Sequence, residues 1–174
     1  KYYNALVDTK KCVDCGLCTK VCPRENDNDM SKPKWWYQGW ADSEIREHAS
    51  SGGAASAIIR AFIKHGGYVA SCLFDSGKFV FEVTNEMAVA RKFAGSKYVK
   101  SNPEKIYGKI QSLLKANQKV LFIGLPCQVA AVNQFIKDKT NLVTADLICH
   151  GTPSPYLLKK CLQEYGHDIN TLTD

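Results

Sequence analysis

Four cysteines crowd into eleven positions near the start of the chain, in the run Cys12-Val13-Asp14-Cys15-Gly16-Leu17-Cys18-Thr19-Lys20-Val21-Cys22-Pro23. Intervals of two, two and three residues, closed by a proline, let three thiolates wrap one face of an iron–sulfur cube while the backbone turns around it. Structural zinc is the competing reading. Its ligands usually come as two separated pairs that can close a tetrahedron, and thiols packed this tightly suit that poorly. The run therefore reads as a ferredoxin-type 4Fe–4S site with Cys12, Cys15, Cys18 and Cys22 as its metal ligands. In two-cluster ferredoxins the fourth cysteine of each run serves the other cube, so the number of clusters stays open at one or two.

Two further thiols stand where chemistry is expected. Gly124-Leu125-Pro126-Cys127-Gln128 lies between an apolar run and a helical pattern, and Cys149-His150-Gly151 follows the next apolar run. If those runs are neighbouring parallel strands, both segments lie at carboxyl ends, where open α/β sheets bind ligands, and strands about 4.8 Å apart bring Cys127 and Cys149 near each other. A thiol at a helix N-terminus also has a lowered pKa, which suits metal ligation or redox chemistry at Cys127. The alternative is that both are small buried apolar residues. His150 is a candidate proton shuttle or ligand, against the plainer role of a loop hydrogen-bonding residue. Ser50-Ser51-Gly52-Gly53 precedes a helical pattern, whose free N–H groups can hold a phosphate or simply be capped by serine. Cys161 and Cys72 read as core residues, because free cysteine is commonly buried.

These residues need elements to position them. Residues 37–41 suggest a short strand, followed by a helix with Ala55, Ile58, Ile59, Phe62 and Ile63 on one face, ended by Gly66 and Gly67. Runs at 68–74 and 78–84 flank Asp75-Ser76-Gly77 and predict a hairpin. A short helix follows over 86–93. Asn102-Pro103-Glu104 begins another that runs to about residue 116, with Ile106, Ile110, Leu113 and Leu114 inward. Val120-Leu121-Phe122-Ile123 is apolar without a break, as in a strand buried on both faces. A helix over 128–137, with Val129, Val132 and Ile136 inward, links it to a run at 142–148, giving a parallel βαβ unit. A last helix over 155–165 is expected to bury Leu157, Leu158, Cys161, Leu162 and Tyr165. The predicted class is α/β: a small ferredoxin-like segment with linker over 1–34, then an α/β domain over 35–174 with a hairpin and a parallel βαβ unit.

Composition narrows the class further. The 174 residues are 45% hydrophobic and 23% charged and contain no apolar run near the roughly 20 residues of a membrane span. Of eight cysteines, the four outside the quartet sit in apolar surroundings, a pattern of metal binding in a reducing cytoplasm rather than of a disulfide framework. A formal charge of +6 attracts anionic ligands generally, whether nucleic acids, flavin diphosphates or acidic carrier proteins. Pro33-Lys34-Trp35-Trp36-Tyr37 resembles a single-strand stacking platform, but the basic residues are scattered rather than forming a stripe, so no nucleic-acid partner is expected.

The CVDCGLCTKVCP run, IREHASSGGAASAI, AGSKYVKS at 94–101, GLPCQVAA at 124–131 and DLICHGTPS at 146–154 together resemble the coenzyme F420 hydrogenase/dehydrogenase beta-subunit family. The resemblance implies an iron–sulfur flavoprotein oxidoreductase, passing electrons between 4Fe–4S clusters and a flavin, FAD or FMN, and on to coenzyme F420 or another small hydride acceptor. It assigns Ser51, Gly52, Gly53, Ser96, Lys97 and Tyr98 to segments around the flavin. It also implies a redox partner protein or subunit, and a chain truncated at both ends. The alternative is a non-catalytic ferredoxin-like electron carrier or docking subunit that needs no flavin.

Overall fold

In the computed structural model, residues 6–25 and 32–172 are described. The linker expected between the cysteine segment and the main domain falls largely outside them. After the short helix α1 (Leu17–Lys20) of the cysteine segment and the short α2 (Ser43–Arg46), the chain builds α3 (Ala54–Lys64), the strands β1 (Tyr68–Asp75) and β2 (Lys78–Thr84), and α4 (Met87–Ala90), which continues into one 3₁₀ turn. Then come α5 (Ile106–Lys115), β3 (Val120–Gly124), α6 (Pro126–Phe135), β4 (Leu142–Asp146) and α7 (Pro155–Glu164). The sheet order is β2-β1-β3-β4, with β1 and β2 antiparallel and the β1–β3 and β3–β4 pairs parallel. This is the expected α/β class, with its hairpin and its βαβ unit.

Strand alternation explains the layering, since successive side chains point to opposite faces. Val120 and Phe122 of β3 join Ala70, Phe81, Ile106, Ile110, Val132 and Ile136 on the face covered by α5 and α6. Leu121 and Ile123 join Ile59, Val69, Leu73, Ala90 and Phe93 on the face covered by α3 and α4. β3 is thus buried throughout, as its unbroken apolar run predicts. Phe122 is fully buried, its ring 5.4 Å from that of Phe81 and 6.1 Å from that of Tyr107. Burying a side chain of this kind contributes roughly 1.5–3 kcal/mol.

Several boundaries differ from the sequence reading, each for a local reason. Residues 37–41 form no strand; Ala41 makes a single backbone bond to the Gly52 carbonyl at 2.7 Å, and the neighbouring aromatics stay exposed. The hairpin turn is the two residues Ser76 and Gly77, both at positive φ, while Asp75 pairs with Lys78 inside the ladder. α3 starts at Ala54 behind a left-handed Gly53, so neither Ser50 nor Ser51 is its N-cap. A Cβ on Gly53 would lie 3.1 Å from the Ala41 Cβ and 3.3 Å from Ile45 Cγ2, so glycine is required there by space as well as by φ. α5 begins at Ile106, because Asn102 is engaged by the hairpin, its N–H bonded to the Phe79 carbonyl.

The largest departure is α7. It has no buried residue; Leu157 and Tyr165 are exposed, and Cys161, expected in the core, is exposed too. Its periodicity is real, but among the described residues β4 pairs only with β3, and no further layer packs over the helix. Cys72 is partly buried inside β1, as a core role requires.

Candidate functional site

On the face covered by α3 and α4 lies a cavity of about 950 Å³, at the upper end of small-molecule sites. Its floor is apolar: Ile59 from α3, Phe74 and Phe79 flanking the hairpin turn, and Met87 and Ala90 from α4. Leu158 of α7 and Leu172 close it from the C-terminal side. The rim is basic, with Arg60, Arg91, Lys92 and Lys97 set against one carboxylate, Glu44, and with His48 beside them. Glu44 and Arg60 join α2 to α3 through a 2.6 Å ion pair. That pairing, with weaker help from Arg91 and His48, holds the Glu44 carboxyl below the usual carboxylate range. The arrangement suits a ligand with a flat apolar part and an anionic part. Nothing in the sequence pattern marks His48, Arg60, Arg91 and Lys92, because they come together only when α2, α3 and the 3₁₀ turn fold around one space.

The wall at residues 94–99 contains all three candidates of the second segment. Ser96 and Tyr98 are exposed, while Lys97 is partly buried and reaches backward. Its ammonium donates to the carbonyls of Lys92, Ala94 and Gly95, which are the last acceptors of the α4 region. Lys97 therefore clasps the loop, and its donors face the backbone. The Ser96 N–H donates to Ser50 Oγ at 2.7 Å and so ties this wall to the loop before α3. Ser51, Gly52 and Gly53 do not line the cavity; Gly52 packs on Gly39 and Trp40, which cover that loop from outside.

Past the cavity, residues 99–102 act as a hub. Val99 faces the cavity, the Lys100 N–H donates to the Pro153 carbonyl at 3.0 Å, and Asn102 bonds to the hairpin. Between them the buried Ser101 hydroxyl accepts from Gln128 Nε2 at 2.9 Å, and Gln128 Oε1 accepts from the Leu125 N–H at 2.9 Å. Burial pushes the Cys72 thiol up, an effect opposed by its hydrogen bond with Ser101 and by the Lys97 charge. Sequence reading missed Gln128 and Ser101; the signal was a polar residue inside an apolar helical face, opposite another in an extended segment.

Cys127 is exposed in the first turn of α6, and Cys149 is half-buried, its Sγ accepting from the Gly151 N–H at 3.3 Å. His150 is exposed. Both thiols follow the carboxyl ends of adjacent parallel strands, where Gly124 pairs with Asp146. Neither lines the cavity, and Gly52 is outside it as well. For Cys127 the reason is placement: α6 packs on the opposite face of the sheet from α3 and α4. Beside Cys127 stands Tyr107, whose phenol burial, with a smaller contribution from Cys127, pushes up to about 12.

In the quartet, Cys12, Cys15 and Cys18 are exposed and Cys22 is half-buried, and all are free of disulfides. Asp14 at φ 51° and Gly16 at φ 66° reverse the backbone between the first three, the local turning a compact ligand loop needs. The thiols are not drawn into a group of three, and no such group of His, Cys, Asp or Glu occurs among the described residues. The segment meets the main domain where Lys20 borders a depression with the C-terminal end of α6. No helix of the described residues is long and apolar enough to cross a membrane.

Comparison with known proteins gives two family matches and two relatives. The family described as 4Fe-4S binding domain matches residues 5–25. The family described as the C terminus of the coenzyme F420 hydrogenase/dehydrogenase beta subunit matches residues 117–174. An uncharacterized protein of Methanocaldococcus jannaschii is 27% identical over 141 residues, covering 75% of this chain and 39% of its own length. A chain of the F420-reducing NiFe hydrogenase complex from Methanosarcina barkeri has the same fold, with a TM-score of 0.61 at 20% identity, over 75% of this chain and 49% of that one. The chain thus spans less than half the length of each of these two relatives.

Proposed function

We propose that this chain, an F420 hydrogenase beta-subunit-like protein carrying a 4Fe–4S binding segment, is the electron-handling part of an oxidoreductase. It relays single electrons between iron–sulfur sites and a flavin, FAD or FMN, seated in the basic cavity. A flavin held there would take up two electrons and one proton and could pass them on as hydride to a small acceptor such as coenzyme F420. The observation that carries the reading is the convergence of separate segments on residues 94–102: Ser50 through Ser96, Pro153 through Lys100, and Gln128 through Ser101.

The donor set suits the cluster. Four disulfide-free thiols lie within eleven residues, with left-handed turns between them. The cavity suits the flavin in volume, in its apolar floor and in its basic rim. A flavin supplies the exchange between one-electron and two-electron chemistry. Phe74, Phe79, Met87 and Leu158 would shield it from water and Arg91 and Lys92 would balance phosphate charge, while the Lys97 clasp keeps Ser96 and Tyr98 in the wall. Cys127, Cys149 and His150, on the other side of the hub, are assigned to electron or proton exchange at the carboxyl ends of β3 and β4. A partner protein, whether a fellow subunit or a diffusible carrier, completes the path.

An anaerobic visible spectrum with iron, sulfide and flavin quantified tests both cofactors at once. Brown protein with flavin is expected, with iron lost in Cys15→Ala and retained in Cys161→Ala. Colourless protein with stoichiometric zinc overturns the reading, and iron without flavin reduces it to a carrier.

A further inference from the structure

The depression between the cysteine segment and the main domain has a volume of about 280 Å³ and is lined by Lys20, Asn133, Gln134, Ile136, Lys137 and Lys139. Half of its lining is lysine and none of it is acidic. Lys20 ends α1, two residues from both Cys18 and Cys22; Lys137 and Lys139 follow the last turn of α6. Asp138, between them in sequence, is not part of the lining. Its carboxylate is turned into its own loop, accepting from the Thr140 N–H at 3.0 Å and from the Thr140 hydroxyl at 2.7 Å. In the same cysteine loop Val13 is 82% exposed and Leu17 61% exposed, so aliphatic surface stands among the cluster ligands.

The geometry points to this face as the docking surface for a small acidic electron-carrier protein. The carrier's carboxylates lie over Lys20, Lys137 and Lys139, and its apolar contact covers Val13 and Leu17. Charge complementarity selects the partner, because opposite potentials steer encounter and fix orientation. A compact patch of three lysines suits a transient interface, buried below about 1,200 Å², of the kind electron-transfer pairs use. Nucleic acid fits less well: the exposed neighbours here are aliphatic, whereas single strands need aromatic platforms. The inference rests on the reading that the quartet holds a cluster, since an electron carrier gains nothing by docking elsewhere.

The test is direct binding, by calorimetry, of an acidic 2Fe–2S ferredoxin to the holoprotein, with basic cytochrome c and a single-stranded oligonucleotide as comparison probes. Affinity for the ferredoxin should fall steeply as salt rises toward about 0.15 M. It should weaken at least tenfold in the Lys137→Glu/Lys139→Glu variant, while iron content and melting temperature stay unchanged. Equal ferredoxin binding by the variant overturns the proposal, as does equal or tighter binding of the cytochrome or the oligonucleotide. Iron is quantified on the same samples. Its absence counts against the cluster reading alone, because lysine dependence of binding is scored without reference to iron.

Discussion

Gln128 and Ser101 share a buried 2.9 Å hydrogen bond that joins the first turn of α6 to the extended segment leaving the cavity. The same glutamine accepts from the Leu125 N–H, so one side chain fixes the start of α6, and with it Cys127, to the cavity wall. Gln128→Leu fills much of the volume but leaves that N–H without a partner and the Ser101 hydroxyl with Cys72 alone, at a cost of about 1–3 kcal/mol. Urea unfolding should show a lower midpoint with an unchanged slope. An unchanged midpoint would mean that the network has no structural role.

Gly77 lies at φ 79°, and a Cβ there would stand 2.7 Å from Asn170 Oδ1 and 3.3 Å from the Ile169 carbonyl. Gly77→Val should therefore strain the hairpin turn, by roughly 1–3 kcal/mol, and displace the segment at 169–172 that brings Leu172 to the cavity. Limited proteolysis should cut the C-terminal segment faster in the variant. Equal cleavage rates would show that the segment does not depend on the turn.

Among the described residues Arg91 forms no ion pair on the cavity rim, while Arg60 is held by Glu44. Arg91→Glu should weaken flavin binding by about tenfold or more, as loss of a charged hydrogen bond does, with melting temperature preserved. Flavin fluorescence titration reads this directly. A folded variant with wild-type affinity would remove Arg91 from the site.

Tyr107 contributes a pH dependence at the alkaline end. Its phenol is raised in the folded state, from an ordinary value of 10.0 to about 12, mainly by burial. The folded form thus holds its proton more tightly than the unfolded form. Its stabilising effect is complete below about pH 10 and is lost as pH rises toward about 12. Denaturation midpoints should fall across that alkaline window, and Tyr107→Phe should flatten the decline. An equal decline in the variant would assign it to other groups.

Much of the fold is legible in local pattern. The uninterrupted Val120–Ile123 run implies a strand with two covered faces, and the turn residues between 75 and 77 imply a hairpin, because both signals come from neighbours in the chain. The misplaced starts of α3 and α5 have the opposite origin. Gly53 is shaped by Ala41 and Ile45, and Asn102 by Phe79, contacts that no window around either residue contains. α7 fails differently: its apolar stripe is correctly read, but a stripe does not say what will cover it. The cysteine quartet is legible from spacing alone, whereas the basic rim is not, since Arg60 and Arg91 are brought together only by the fold. Lys97 stands in the right segment, and what spacing could not reveal is that its ammonium turns inward onto three carbonyls.

The position of β1 also sets an order of events during folding. One neighbour, β2, is reached through two turn residues, while the other, β3, pairs Tyr68 with Val120 only after α3's successors, α4 and α5, have been threaded past. Closing the short loop costs little chain entropy and closing the long one costs more. Loop entropy thus favours forming the hairpin before the parallel registers. The cavity borders both: Phe74 and Phe79 come from the early hairpin, and Leu158 and Leu172 from the last part of the chain. A binding site whose walls come from segments so far apart in sequence requires both to be in place, so ligand occupancy reports more than a formed hairpin.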